Sequence, residues 1–273
     1  MNLFDQLSNL TFIPDAYEQW ADYRANMTKL ICQSCEGGSI AIFGVGECND
    51  FDLKLLVNQF EKINLIDKAD VDINTLAKKY LLTSAEIAKI DVYKYDIVGI
   101  SDDDYRGLCS RLSEFLRCEE DDASFVDYAL SEYEKLLAGN NPLTVPVISD
   151  YIVASGIHSQ LYNMAAWIWD TYAAHKNIND RRIYELISRA IDMKISEVND
   201  NLIKMGRKKV MISSELRRIG TKGGVEGAYQ CLLDINRRSK ENIINIESVE
   251  MLMWPFDLSQ QKMYEMELIV FTH

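Results

Sequence analysis

The chain has 273 residues, 48% hydrophobic and 26% charged, a balance that excludes disorder and fibre and fits one large α/β domain with added helices. Its formal net charge of −13 repels polyanions, which disfavours nucleic acid as a partner. No apolar run approaches the about 18 residues of a membrane helix, and Asp5 stands where a leader peptide carries cations, so a cytoplasmic chain with no membrane partner is expected.

In chain order, residues 13–31 place Tyr17, Trp20, Arg24, Met27 and Ile31 at helical spacing and predict an N-terminal helix, within a helical segment 1–36 that precedes the main domain, 37–273. SIAIFG at 39–44 reads as a buried parallel strand, GVGECND at 44–50 as a turn, and Phe51, Leu53, Leu55, Leu56 and Phe60 as the apolar side of a helix that Asn49, Asp50 or Asp52 can cap. INLID at 63–67 is a second strand, 72–82 a helix, and KIDVYKYD at 89–96 a third strand. The acidic stretch 101–140 reads as a helical insertion. A loop at 140–146 leads to a fourth strand at 147–155, helices at 158–174 and 180–206, and a fifth strand at 208–214. The stretch from Leu216 to Gly227 carries Gly220, Gly223, Gly224 and Gly227 and is a candidate mobile lid. After a helix at 226–238, runs at 248–256 and 262–273 alternate as an antiparallel pair. The fold class is therefore α/β, with a Rossmann-like, mostly parallel seven-stranded sheet, an antiparallel last strand and helices on both faces.

Charge is uneven: residues 176–242 hold 15 Lys and Arg against 9 Asp and Glu, while the remainder holds 14 against 33. The basic segment keeps RNA open as a second partner. The six cysteines (32, 35, 48, 109, 118, 231) are expected as reduced thiols, and Cys32 with Cys35 lacks a second ligand pair, so no metal is predicted.

Gly44 and Gly46 let the backbone turn sharply at the end of the first strand and approach a ligand closely. Asp67 lies 21 residues beyond Gly46 at the tip of the second strand, the offset at which a carboxylate in this topology binds ribose hydroxyls. A dinucleotide site places a third glycine in the turn, whereas here Asn49, Asp50 and Asp52 follow. Carboxylates repel a pyrophosphate and attract a cofactor that carries a sulfonium and an ammonium.

IAIFGVGECNDFDL followed by INLID resembles the class I S-adenosylmethionine-dependent methyltransferases, especially bacterial members with a GxGxCNDxDL turn. The similarity extends through Tyr95 and Asp96, through SDYIVASGIHSQL as fourth strand and following loop, and through the terminal strand pair, covering about 15–273. The chain departs from the family at Ile42, where many members have an acid, and at Cys48, where many have glycine. The resemblance implies that S-adenosyl-L-methionine is the cofactor. Its methionine part would lie on the backbone of Gly44, Val45 and Gly46, its ribose on Asp67, and its adenine beside Asp96 and Ile97. Asn49 and Asp50 would close the turn, Arg24 would pair with the cofactor carboxylate, and Ser155 would count among the cofactor-binding residues while also orienting an acceptor. His158 is the candidate general base. The implied activity is methyl transfer to a small-molecule or peptide acceptor. A non-catalytic scaffold, an RNA methyltransferase and a nicotinamide oxidoreductase are the alternatives.

Overall fold

The computed structural model describes residues 2–8, 13–118, 121–138 and 147–273. The elements, in order, are α1 (Leu3–Ser8), α2 (Ala16–Gln19), α3 (Ala21–Ser34), β1 (Ser39–Phe43), α4 (Leu53–Gln59), β2 (Lys62–Asp67), α5 (Ile73–Lys79), α6 (Ser84–Ile87) and β3 (Ile90–Lys94). They continue with α7 (Asp102–Cys118), α8 (Asp122–Ala138), β4 (Ser149–Ser155), α9 (Asn163–Lys176), α10 (Arg182–Met205), β5 (Gly206–Arg218), α11 (Ala228–Lys240), β6 (Asn245–Asp257) and β7 (Lys262–Thr272). The expected loop at 140–146 lies outside the described residues.

The chain divides into two compact units. The larger holds residues 13–97, 144–159 and 195–273, and with them all seven strands in the order β3-β2-β1-β4-β5-β7-β6. β1 pairs in parallel with β2 and β4, β2 with β3, and β4 with β5, whereas β7 runs antiparallel to both β5 and β6. This is the expected sheet. Ile40 and Ile42 are buried on one side of β1, and Ala41 and Phe43 on the other, because a central parallel strand must be apolar on both faces. On one face Tyr23, Met27 and Ile31 of α3 and Leu53, Leu56 and Val57 of α4 pack with Leu65, Val153, Met211 and Leu268 from the strands.

The smaller unit holds residues 1–12, 98–143 and 160–194. Within it α7 and α8 realise the expected helical insertion. Phe4 stacks on Tyr105 at 5.8 Å and Phe115 on Tyr128 at 4.2 Å, while the buried Tyr133 hydroxyl donates to Ala165 O at 2.8 Å. Trp169 is fully buried core there.

Two sequence boundaries shift. β5 runs on through Arg218 and β6 starts at Asn245, because pairing with β7 continues past the apolar stretch that marks these strands in the sequence. Leu216 to Arg218 are therefore strand rather than lid. Among the described residues no helix is long and apolar enough to cross a membrane, and no group of three or more His, Cys, Asp or Glu is arranged to hold a metal.

Candidate functional site

The site is built at the carboxyl ends of β1, β2, β3, β4 and β5. The chain leaves β1 toward β2 on one side while β4 lies on the other, and at such a switch in strand order an open α/β sheet leaves a crevice. Gly44 N donates to Ile66 O at 3.0 Å, tying the turn after β1 to the neighbouring strand. Gly44 has φ +74°, and a Cβ there would stand 2.5 Å from Ile157 Cγ2 and 3.2 Å from Ser155 O, so close approach of the turn after β4 dictates glycine. Gly46 has φ +49° with open space where a Cβ would lie. Cys48 also adopts a left-handed conformation, φ +55°, with its thiol buried and pushed up to about 12 by that burial. Cys48→Gly removes the strain of a non-glycine residue there and also the packing of the sulfur. These effects oppose each other, so thermal unfolding should show a change within about 1 kcal/mol.

Asp67 ends β2 with its carboxylate turned to this loop. Oδ2 accepts from Gly46 N at 2.8 Å and Oδ1 from Ala69 N at 2.8 Å. A carboxylate has about four lone-pair positions, so two remain for further donors. Just past the adjacent strand β3, Tyr95 N donates to Asp67 O at 2.7 Å, which sets Asp96 and Ile97 beside the end of β2; Asp96 pairs with Lys68 at 3.3 Å. Asp52 caps α4 by accepting from Leu55 N at 3.1 Å, leaving Asn49 and Asp50 for other work. Asn49 is buried, its Oδ1 accepting from Lys79 Nζ and its carbonyl from Arg24 Nη1 at 3.2 Å. Arg24 is itself buried, with its guanidinium 3.8 Å from the Tyr17 ring centroid and Nη1 donating to Tyr17 O at 2.7 Å. The helix before β1 therefore delivers its cation to the loop.

Asp50 is half-buried as a residue, yet its Oδ1 is enclosed and has no hydrogen-bond partner among the described residues. Its carboxyl is pushed up to about 7, first by burial and then by the negative charge of Glu215, with Arg24 acting in the opposite sense. Glu215, on β5, is 5% exposed; Oε1 accepts from Ser159 Oγ at 2.7 Å, and Oε2 is enclosed without a partner among the described residues. Burial raises its carboxyl as well. Tyr23 lies in the field of both acids, with its hydroxyl 3.3 Å from Ser155 Oγ, and burial holds that hydroxyl protonated far above the usual phenol range. Glu215, Tyr23 and Trp254 are the neighbours that sequence reasoning missed. The one signal was an acid directly following the run VMISS within β5.

His158 is placed differently from its sequence-based role. It is fully buried, with Nε2 donating to Asn199 Oδ1 at 3.0 Å and Nδ1 enclosed, and burial lowers its pKa to about 4. The imidazole is thus a neutral fixture tying the turn after β4 to α10. Several cations of the basic segment are paired with carboxylates: Arg217 with Glu265, Arg237 and Arg238 with Asp234, and Lys209 with Glu247 at 2.8 Å.

No protein-family model matches the chain, and no curated protein matches it in sequence. Solved structures do resemble it in fold. Magnesium protoporphyrin IX methyltransferase from Synechocystis PCC 6803 with bound SAH aligns at 9% identity over 93% of this chain and 83% of that one, with TM-score 0.45. A SAM-dependent methyltransferase from Aquifex aeolicus aligns at 9% identity over 97% of each chain, with TM-score 0.42. Ribosomal protein L11 methylase from Lactobacillus delbrueckii subsp. bulgaricus aligns at 12% identity over 92% of this chain and 79% of that one, with TM-score 0.39.

Proposed function

We propose that the chain binds S-adenosyl-L-methionine at the loop after β1 and transfers its methyl group to a small-molecule or peptide acceptor. The observation that carries this reading is the Asp67 carboxylate fixed 2.8 Å from the Gly46 amide, beside the open space over that glycine. The enclosed Asp50 Oδ1, which has no partner among the described residues, fits the same cofactor, because an ammonium group would supply a donor to this oxygen. When bound, S-adenosylmethionine supplies a methyl carbon already activated by its sulfonium, so the protein's tasks are to align, to desolvate and to manage a proton.

In this reading Gly44, Val45 and Gly46 present backbone to the methionine part, and the free lone pairs of Asp67 receive the ribose diol. Asp96 and Ile97 border the adenine. Arg24, held at the loop through Tyr17 and Asn49, faces the cofactor carboxylate with its remaining N–H donors. Asp50 takes the ammonium, and Ser155, beside Tyr23, borders the acceptor side. His158 keeps the site's shape from outside it. RNA is not proposed as the acceptor, since the net charge of −13 repels a polyanion and several cations of the basic segment are paired with carboxylates.

Isothermal titration with S-adenosylhomocysteine tests this. Binding is expected in the wild-type chain, and Asp67→Ala should weaken it by about 1 to 3 kcal/mol through the unpaired ribose hydroxyls, with the melting transition retained. Equal affinity in the variant overturns the ribose assignment, and no heat in either protein overturns the cofactor.

A further inference from the structure

Beyond Asp50, the site contains a second carboxylate that cofactor binding leaves unexplained. Glu215 is 5% exposed, one oxygen is held by Ser159, and the other is enclosed without a partner among the described residues. A buried carboxylate with an unmet acceptor is expensive to keep unless something brings it a donor. The point 3.6 Å from Glu215 Oε1 where a Gly156 Cβ would stand also lies 3.9 Å from Trp254 Cη2, so carboxylate and indole edge border one spot. Trp254 in turn stacks on Tyr23 at 5.7 Å and meets Trp20 and Phe256 edge-on at 5.0 and 4.8 Å. An anionic oxygen walled off from water by packed aromatic rings favours an ammonium over a neutral or anionic group, through ion pairing strengthened by the low local dielectric.

We infer that the methyl acceptor is a cationic amine whose nitrogen is received by Glu215 beside Trp254. This rests on the proposed transfer from S-adenosylmethionine. The proton on the amine passes to the Glu215 carboxylate. The freed nitrogen lone pair then forms the N–C bond as the C–S bond breaks, and the breaking bond's electron pair stays on sulfur. Glycine at 156 leaves the spot beside Oε1 and the indole without a side chain, and the part-buried Ser159 contact holds Oε1 in place while Oε2 of the same carboxylate takes the donor. Asp50 and Glu215 thus divide the work, one for the cofactor's ammonium and one for the acceptor's.

The test is calorimetric titration of the full chain near neutral pH with benzylamine hydrochloride, benzyl alcohol and benzoate, each with and without S-adenosylhomocysteine. Benzylamine should bind and the alcohol and benzoate should not. Glu215→Gln, which keeps the shape and removes a buried charge, should weaken benzylamine about tenfold or more while leaving S-adenosylhomocysteine affinity in place. Binding of the alcohol as tight as that of the amine, no heat from the amine, or an E215Q chain that binds it unchanged overturns the proposal. So does an E215Q chain that loses S-adenosylhomocysteine affinity as much as amine affinity, since the carboxylate then belongs to the cofactor. The wild-type comparison of amine with alcohol decides the matter even if E215Q fails to fold. A wild-type chain that takes benzylamine in a Glu215-dependent way but not S-adenosylhomocysteine supports the amine site and overturns the cofactor reading alone.

Discussion

Replacing Gly227 by alanine is expected to lower stability by about 3 kcal/mol or more, read as a drop in the denaturation midpoint at unchanged slope. Gly227 has φ +78°, and a Cβ on it would stand 2.2 Å from His158 O, 3.1 Å from His158 C and 3.4 Å from Ser159 Cα. All three are backbone atoms, so no side-chain rotation relieves the clash, and the left-handed conformation adds about 1 to 2 kcal/mol of its own. Either α11, which begins at Ala228, or the turn after β4 must move. That turn carries Ser159, whose hydroxyl fixes Glu215, so benzylamine affinity should fall together with stability. Gly220 and Gly223 provide the internal control. They have φ +82° and +95° with nothing within 4 Å of a built Cβ, so alanine there meets backbone strain alone and should cost about half as much. If Gly227→Ala melts like the Gly220 variant, the contact with His158 does not constrain the fold.

This contrast shows where the sequence was readable. Four glycines in a short stretch predict a mobile lid from composition, yet the end of the stretch is anchored, with Gly227 against the His158 carbonyl and Gly224 under the Tyr229 ring. Glycine density reports permitted backbone freedom and also close approach, and only the fold separates the two. The glycine turn, the capped helix and Asp67 were legible because they lie within one βαβ unit, where strand, turn and acid follow at fixed spacing. The acceptor side was not. Glu215, Tyr23 and Trp254 come from β5, α3 and β6, so the sheet order brings them together and no sequence spacing does. His158 misled for a related reason: a histidine just past a strand tip looks like a base, but the 41-residue separation hides Asn199, its partner in the interior, where burial keeps the ring neutral.

Asp50→Asn is expected to stabilise the protein at alkaline pH and to weaken cofactor binding. The Asp50 carboxyl lies at about 7 when folded against an ordinary value of 3.8, so the folded state holds a proton that the unfolded state has released. Its contribution is fully present below pH 3.8 and is lost as pH rises through about 7, beyond which an enclosed carboxylate must be carried charged. The displacement converts to about 4 kcal/mol. Because Asp50 is only half-buried as a residue, a gain of about 2 kcal/mol is expected for the asparagine variant at pH 8, and little gain near pH 4. His158 works in the opposite sense, since its folded value of about 4 lies below the ordinary 6.5. Its contribution is present above 6.5 and fades as pH falls toward about 4, so the two opposing slopes largely cancel over the shared span in the wild type, whereas in the variant stability should rise with pH across that span and then level off. In the same variant S-adenosylhomocysteine affinity should fall about tenfold, because an amide cannot pair with an ammonium as a carboxylate does. Chemical denaturation across pH paired with calorimetry separates the two effects. A variant no more stable than wild type at pH 8 removes the penalty argued for Asp50, and unchanged S-adenosylhomocysteine affinity removes its place at the methionine end. Stability gained where binding is lost is the signature of an acid kept for its ligand.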